Sequence, residues 1–522
     1  MPLRMPAARP ISKLLVANRG EIALRVMRTC REMGVRTVAV YSDADRNALH
    51  VRAAYEAVRL GPAPARESYL RGEALIAAAK ATGADAIHPG YGFLSENAGF
   101  ARAVRDAGLI FVGPSPEAIE AMGDKLAARA RMAAAGVPVV PGTSEPAGDD
   151  ASLLVQARTL GFPLMIKASA GGGGKGIRIV RDESELLAAA RRATSEAQSA
   201  FADGRVYLEK YLDEPRHIEI QVFGDSHGQV VHLGERECSL QRRHQKVVEE
   251  RPSPLLDESL RAAMGAAAVK AAAAIGYTNA GTIEFLVDSR RDFYLLEMNT
   301  RLQVEHPVTE LTCGQDLVRW QLLVAAGEPL PLSQEQIRHE GHAIEVRLCA
   351  EDADHGFLPA SGRVQRLELP GGPGVRVDGC LYEGLEVTPH YDPLLAKICV
   401  HAGTRELAIA RMRRALAEVT VSGVITNLPF LRRVLDSEPF RSGCYDTTTL
   451  EGRPAEFARH FSVGRERSAA LIAATMAHVL RGRRGFPDRG AGGAPAPAAS
   501  AAPAATPTRS SWVDAFRPGS DE

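Results

Sequence analysis

Residues 295–310 read LLEMNTRLQVEHPVTE, and their odd positions are Glu297, Asn299, Arg301, Gln303 and Glu305. An extended backbone sends successive side chains to opposite faces, so these five would line one face about 6–7 Å apart while Met298, Leu302 and Val304 line the other. Just upstream, GTIEFLV carries a single acid, Glu284, and DSRRD separates it from FYLLEMN. Two apolar runs around a short polar turn predict a β-hairpin, with Glu284 and Glu297 on one face to within a residue or two of register. Few other patterns place carboxylates inside apolar strands, where an unpaired charge is costly.

The hairpin belongs to a longer α/β pattern. KLLVAN (13–18), TVAVYSD (37–43), DAIHPG (85–90) and LIFVG (109–113) alternate with helical periodicity such as GEIALRVMRTCREMG, which predicts an open parallel sheet to about residue 120. From 121 to about 330, FPLMIKAS, GIRIVR, VYLEKYL, HIEIQVFGD and VVHLGERE predict antiparallel strands mixed with helices. From 341, HAIEVRLCAED, GRVQRLELPGG, VRVDG and AKICVHAG predict a mainly β unit, followed by the helix RELAIARMRRALAEV. Residues 484–522 are a low-complexity segment rich in Pro, Ala, Gly and Ser, a composition that predicts a disordered tail.

Totals exclude several functions. Lys+Arg equals Asp+Glu at 63 each, so no global field favours nucleic acid or an anionic membrane, and any anion site must be local. No apolar run is long enough for a membrane helix or signal peptide, and the Ala-rich stretch 261–277 carries Arg261 and Lys270 as a soluble helix would. The seven cysteines contain no C-x-x-C pair and fit a reducing cytoplasm.

SAGGGGKG (169–176) satisfies G-x-G-x-x-G, yet a strand-like GIRIV follows it where a dinucleotide site needs a helix. Gly176 stands where a Walker A loop needs Ser or Thr. What remains is a strand–glycine–strand flap: a phosphate cover with Lys175 at its rim and Lys167 on the preceding strand, or a flexible hairpin. Likewise Glu284 and Glu297, with Asn299, are either solvated acids or Mg²⁺ ligands, since Mg²⁺ is usually held by one or two carboxylates plus phosphates. A phosphate flap beside two such acids means ATP chemistry.

From Ile11 to about Glu451 the chain resembles biotin carboxylases, which are ATP-grasp enzymes. The matching blocks are KLLVANRGEIALRV, AIHPGYGFLSEN, MGDK, IKASAGGGGKGIR, YLEKYL, RHIEIQV, CSLQRRHQKVVEE, GTIEFL, EMNTRLQVEHPVTE, EVRLCAED and HYDPLLAKI, all in order. The resemblance implies an N-terminal open α/β domain (11–120), an ATP-grasp domain with a mobile glycine-rich lid (121–330), a mainly β C-terminal domain (341–451), and a homodimer. It implies that ATP and bicarbonate form carboxyphosphate and that the released CO₂ is captured by N1′ of biotin. By motif, Lys125, Lys167, Gly173, Gly174, Glu209, Lys210, Leu212, His217 and His244 would meet ATP. Glu284, Glu297 and Asn299 would hold Mg²⁺ or Mn²⁺ at two sites. Lys246, Arg301, Gln303 and the backbone of Val304 would cradle bicarbonate, Glu305 would take its proton, and Arg347 would stabilise the biotin enolate.

Three positions depart from the family pattern: Tyr55 in AAYEAV, Ala170 opening the glycine run, and Thr447–Thr448 in CYDTTTLE near the adenine. No A/V-M-K-M attachment motif is present, so biotin would arrive on a biotin carboxyl carrier protein and pass its carboxyl group to a carboxyltransferase subunit. The complex expected is acetyl-CoA carboxylase of fatty acid biosynthesis, or a pyruvate- or propionyl-CoA-type carboxylase. Competing readings are another bicarbonate-phosphorylating ATP-grasp ligase, such as a carbamoyl-phosphate synthetase, and a non-catalytic nucleotide-binding subunit. The first would carry tandem units in a longer chain; the second predicts loss of Glu284, Glu297 or Glu305, which are all present.

Overall fold

Buried on both faces, the apolar run Leu14–Val16 can only be the middle of a covered sheet, and it is. The computed structural model describes residues 9–143, 145–146, 148–169, 177–201, 203–458, 472–473 and 476. The glycine run with Gly173 and Gly174, and the low-complexity segment 484–522, lie outside the described residues. Strands β1 (Lys13–Val16), β2 (Arg36–Ser42), β3 (Glu56–Gly61), β4 (Ala86–His88) and β5 (Ile110–Phe111) form a parallel sheet in the order β3-β2-β1-β4-β5. Strand order reverses between β1 and β4. The loops leaving their carboxyl ends form the crevice that such a reversal opens. Asn18 ties the two loops together, its Nδ2 donating to the carbonyls of Pro89 (2.7 Å) and Tyr91 (2.8 Å). Gly90 (φ +66°) permits this approach, because a Cβ there would meet Asn18 Nδ2 at 2.8 Å.

A second, three-stranded antiparallel sheet has β6 (Leu164–Ala168) between β7 (Arg178–Val180) and β8 (Val206–Lys210). The helices Asp150–Leu160 and Glu183–Phe201 cover one face through Leu153, Ala157, Leu186 and Ala190.

The third sheet has eight strands and is antiparallel throughout. In order these are β13 (Phe293–Asn299), β12 (Asn279–Val287), β9 (Arg216–Gly224), β10 (Val230–Arg242), β11 (Gln245–Arg251), β14 (His342–Cys349), Leu394–Ala402 and Val375–Gly379. It runs without a break across residue 341, so the strands expected of two separate units share one ladder. The predicted hairpin is present: Glu284 and Glu297 are Cα partners, and the turn closes with Asp288 N donating to Asp292 O at 2.9 Å.

One expectation fails here. The extended run ends at Asn299; Arg301 lies on a bend, Val304 and Glu305 form a turn, and the helix His306–Cys313 follows with Pro307 in its first turn. Proline is well suited to a first helical turn, where its missing N–H has no acceptor to lose. His306-Pro307 therefore starts a helix, and the five polar groups do not line one strand.

The eight-stranded sheet is buried on both faces near its centre, and the faces differ. Ile218, Ile220 and Val222 of β9 pack with Ala267, Ala268, Ala271 and Ala272 of the helix Glu258–Ala274. The alternate residues His217, Glu219 and Gln221 are equally buried but polar. Alanine brings that helix close to the sheet, and Gly265 leaves room for the His232 ring, which a Cβ would meet at 2.6 Å. Ala268→Leu, at a fully buried position, is expected to destabilise the chain by about 1–3 kcal/mol through overpacking. The check is a lower midpoint of thermal unfolding by circular dichroism, compared with Ala273→Leu on the same helix.

Candidate active site

The polar face of that sheet, the crevice at the β1/β4 reversal and the edge of the three-stranded sheet enclose one cavity of about 1110 Å³. Glu284 of β12 and Glu297 of β13 line it, and with the fully buried Glu219 of β9 they are consecutive Cα partners. Three adjacent carboxylates repel, and burial strengthens the repulsion. The compensating charge is Lys246 of β11. Its Nζ lies 2.5 Å from Glu219, 3.1 Å from Glu284 and 2.5 Å from Glu305. Arg236, fully buried, also pairs with Glu219 and donates to Gln221 (2.7 Å) and Thr282 (3.0 Å).

One ammonium cannot satisfy every acid, and the pKa directions divide accordingly. Burial alone would raise Glu284, yet Lys246 and His217 hold it well below the ordinary carboxylate range. Glu305 is likewise held down, against burial, by Lys246, Arg347 and Arg236. Glu297 is raised, first by burial and then by the Glu284 charge. An acid pair with one member short of positive charge suits a divalent cation, so Glu284 and Glu297 fit the metal role. Asn299 is beside them, but its Nδ2 donates to Glu284 (2.8 Å) while its Oδ1 accepts from Arg301 Nη2 (3.2 Å). His217 Nε2 lies 3.0 Å from Glu284, which places it on the acid side of the cavity.

Arg301 is fixed by Glu96, whose carboxylate accepts from Arg301 Nε (2.8 Å) and from the Thr300 amide (3.0 Å). Its Nη1 donates to Gln303 Oε1 at 2.9 Å. Arg347 of β14 reaches Glu305 through Nη2 (3.0 Å) and is held from behind by Glu249 through Nε (2.7 Å). Arg301, Gln303, Val304, Glu305, Lys246 and Arg347 thus all line the cavity, with Glu305 between the two cations.

Lys125, Lys167, Glu209, Lys210, Leu212 and His244 line the cavity as well, and the Lys125 charge opposes the upward shift of Glu297. Lys167 and Arg129 both pair with Glu209. The Lys210 ammonium donates to the carbonyls of Gly161 (3.2 Å) and Phe162 (3.0 Å), which leaves one of its three protons for another partner. Arg243 and His244 occupy the left-handed region (φ +47° and +63°) in the tight turn joining β10 to β11. Two successive left-handed residues are what a two-residue hairpin turn between twisted strands requires, and the turn puts His244 on the cavity wall. Thr447 and Thr448 also line the cavity; the Thr448 hydroxyl is spent on Asp446 (2.7 Å).

Glu96, Glu219, Arg236 and Glu249 were not singled out by the sequence reading. Glu219 was accessible to it: it shares a face with His217 and Gln221 at period two in RHIEIQV. Arg236 and Glu249 carried no such signal, because neither VVHLGERE nor KVVEE shows which of its charges is buried.

Family models match along the chain: the biotin carboxylase N-terminal domain over residues 10–119, the ATP-binding domain of the carbamoyl-phosphate synthase L chain over 124–333, and the biotin carboxylase C-terminal domain over 345–452. A biotin carboxylase of Halalkalibacterium halodurans is 54% identical over 431 residues, covering 83% of this chain and 95% of that one. The mitochondrial methylcrotonoyl-CoA carboxylase subunit alpha of Oryza sativa subsp. japonica is 52% identical over 443 residues, 84% of this chain and 60% of the longer relative. The biotin carboxylase domain dimer of the Hydrogenobacter thermophilus 2-oxoglutarate carboxylase, solved with MgADP, ADP and bicarbonate, superposes with a TM-score of 0.83 at 48% identity. It covers 87% of this chain and 100% of that one.

The charge arrangement predicts a pH signature. Glu284 and Glu305 are depressed, so they contribute stability that is fully present above the ordinary carboxylate pKa and lost as pH falls below it. Lys246→Met removes the one cation shared by three buried carboxylates and is expected to cost about 3–5 kcal/mol at neutral pH. Carboxylates without their cation rise in pKa, so the variant should regain stability as pH falls from about 8 to 5.5. Urea unfolding at the two pH values checks the opposite trend.

Proposed function

The chain belongs to the biotin carboxylase family and is an ATP-dependent biotin carboxylase that uses bicarbonate; from this we propose what its residues do and where its product goes. The observation that carries the assignment of roles is Lys246, whose single ammonium touches both the metal-side acid Glu284 and the bicarbonate-side acid Glu305. The acid pair and the anion cradle therefore meet at one point, as phosphoryl transfer onto bicarbonate requires.

Lys125 and Lys167 bind the nucleotide phosphates, and the nucleotide base lies toward Glu209, Lys210, Leu212 and His244. Glu284 and Glu297, with Asn299, would hold Mg²⁺ or Mn²⁺, which when bound neutralises charge on the transferring phosphoryl group. Bicarbonate enters between Lys246 and Arg301, its oxygens met by Gln303 and the Val304 amide. Glu305 takes its proton. A carboxylate held so low is a weak base while Lys246 and Arg347 serve it alone. An incoming anion shares those cations and raises the basicity of Glu305 when its substrate is present. The resulting carboxyphosphate releases CO₂ and phosphate. Arg347, locked by Glu249, stabilises the enolate formed when the N1′ proton of biotin passes to the released phosphate, a fixed guanidinium acting on a developing oxyanion, and N1′ then takes up the CO₂.

Biotin is presented on a carrier protein and passed to a carboxyltransferase subunit, with acetyl-CoA carboxylase as the first candidate complex and a propionyl-CoA or pyruvate carboxylase next. We place the chain in the cytoplasm as a homodimer, like the dimeric H. thermophilus domain. Among the described residues no helix is long and apolar enough to cross a membrane.

Purified protein is expected to cleave ATP only with Mg²⁺, bicarbonate and free biotin together; cleavage indifferent to both bicarbonate and biotin would refute the reading. Glu305→Gln should lower biotin carboxylation roughly 10²-fold or more, as loss of a general base does. ATP binding by calorimetry should change little, and near-parental turnover would remove Glu305 from the reaction.

A further inference from the structure

Two buried side chains beside the cavity have no part in the chemistry above, and both end on the backbone around Val304. Lys397, on the strand Leu394–Ala402, is the Cα partner of Arg347 and is fully buried. Its Nζ donates to the Val304 carbonyl at 2.8 Å. His306, fully buried at the start of the helix His306–Cys313, places Nδ1 2.7 Å from the Gln303 carbonyl. A carbonyl only accepts, so Nδ1 carries the proton.

These contacts fall on consecutive peptide groups. Gln303 C=O and Val304 N–H belong to one plane, Val304 C=O and Glu305 N–H to the next, and each plane is rigid. Fixing both carbonyls fixes the direction of the Val304 N–H and the point from which Glu305 departs. The anchors are well defined electrically. Burial, followed by Lys397, Arg25 and Arg376, keeps His306 neutral. Lys397 faces Glu21 at 3.4 Å and Asp378 at 4.0 Å. Burial pushes the Glu21 carboxyl up to about 7, and neither of its oxygens has a hydrogen-bond partner among the described residues. The hydrogen bond that Lys397 makes is the one to the Val304 carbonyl.

We propose that Lys397 and His306 are positioning residues that clamp the two peptides flanking Val304 and so preset its amide for bicarbonate. The proposal rests on the reading that this amide belongs to the bicarbonate cradle. It identifies two groups outside the cradle that set bicarbonate affinity without touching bicarbonate.

The test measures ADP formation against bicarbonate at saturating MgATP and free biotin, with ATP binding by calorimetry on the same full-length proteins. His306→Leu and Lys397→Met are each expected to raise the bicarbonate KM about tenfold, the order of one lost hydrogen bond, with ATP affinity unchanged. His306→Asn, whose amide can donate to the Gln303 carbonyl, should restore most of it. Should Lys397→Met fold poorly with Glu21 left unpaired, Glu21→Gln/Lys397→Met removes both charges and carries the same expectation. An unchanged bicarbonate KM, a parallel loss of ATP affinity, or His306→Asn as impaired as His306→Leu would overturn the clamp. A parent enzyme with no bicarbonate dependence would instead overturn the cradle reading itself, so the two failures are told apart by the parent curve.

Discussion

Everything in the site depends on Lys246 sitting among Glu219, Glu284 and Glu305. Transferring that many charges out of water is possible only if each finds an opposite charge or a strong donor, and a single flexible ammonium with three protons is the smallest group that can serve three carboxylates. The arrangement is balanced rather than saturated. Glu284 and Glu305 are held ionised, while Glu219 and Glu249 are pushed upward, burial being the largest cause in each. A cavity floor left short of positive charge at Glu297 and supplied with cations at Arg301 and Arg347 is divided in advance. One end suits a metal ion, the other an anion.

The eight-stranded sheet makes this division possible. Its strands bury apolar side chains against the helix Glu258–Ala274 on one face and a charged array on the other. Antiparallel pairing sets the array into rows: Glu219, Glu284 and Glu297 across β9, β12 and β13, and Arg347 and Lys397 across the neighbouring strands at the far side. Because the ladder crosses residue 341 without a break, the acids and Arg347 are held in one rigid frame although about fifty residues or more of chain separate them. Relative motion between two separate sheets would have loosened the contact of Arg347 with Glu305.

Local pattern was enough for most of this. Alternating strands and helices fix the N-terminal sheet, and DSRRD between apolar runs fixes the hairpin and puts Glu284 and Glu297 on one face to within a residue or two; the structure makes them direct partners. What period two could not reveal is which polar faces are buried: an alternating strand looks the same whether its polar side meets water or, as with Glu219, a lysine from another strand. Arg236, Glu249 and Lys397 were invisible for that reason, since their partners are fixed by tertiary pairing. The strands expected on either side of the glycine run are present as β6 and β7, while the run itself lies outside the described residues. Assignment of ATP, bicarbonate and biotin to particular residues came from family resemblance, never from spacing.

Sequence pattern and fold part company most clearly at residues 297–305. Five alternating polar residues predict one face of an extended strand, yet the chain leaves the sheet at Asn299 and turns into a helix. A straight strand would have spread Arg301, Gln303 and Glu305 along about 13 Å, too far for one small anion to touch all three. By bending at Arg301 and turning at Val304, the chain brings Glu305 back to Lys246, which already contacts Glu284 on the sheet. Such a bend has no ladder to hold its backbone, so its carbonyls need other donors; the Val304 carbonyl takes Lys397 and the Gln303 carbonyl takes His306. Departure from the strand is therefore what gathers Arg301, Gln303 and Glu305 around Lys246, and the two buried donors hold carbonyls that the departure leaves without a ladder.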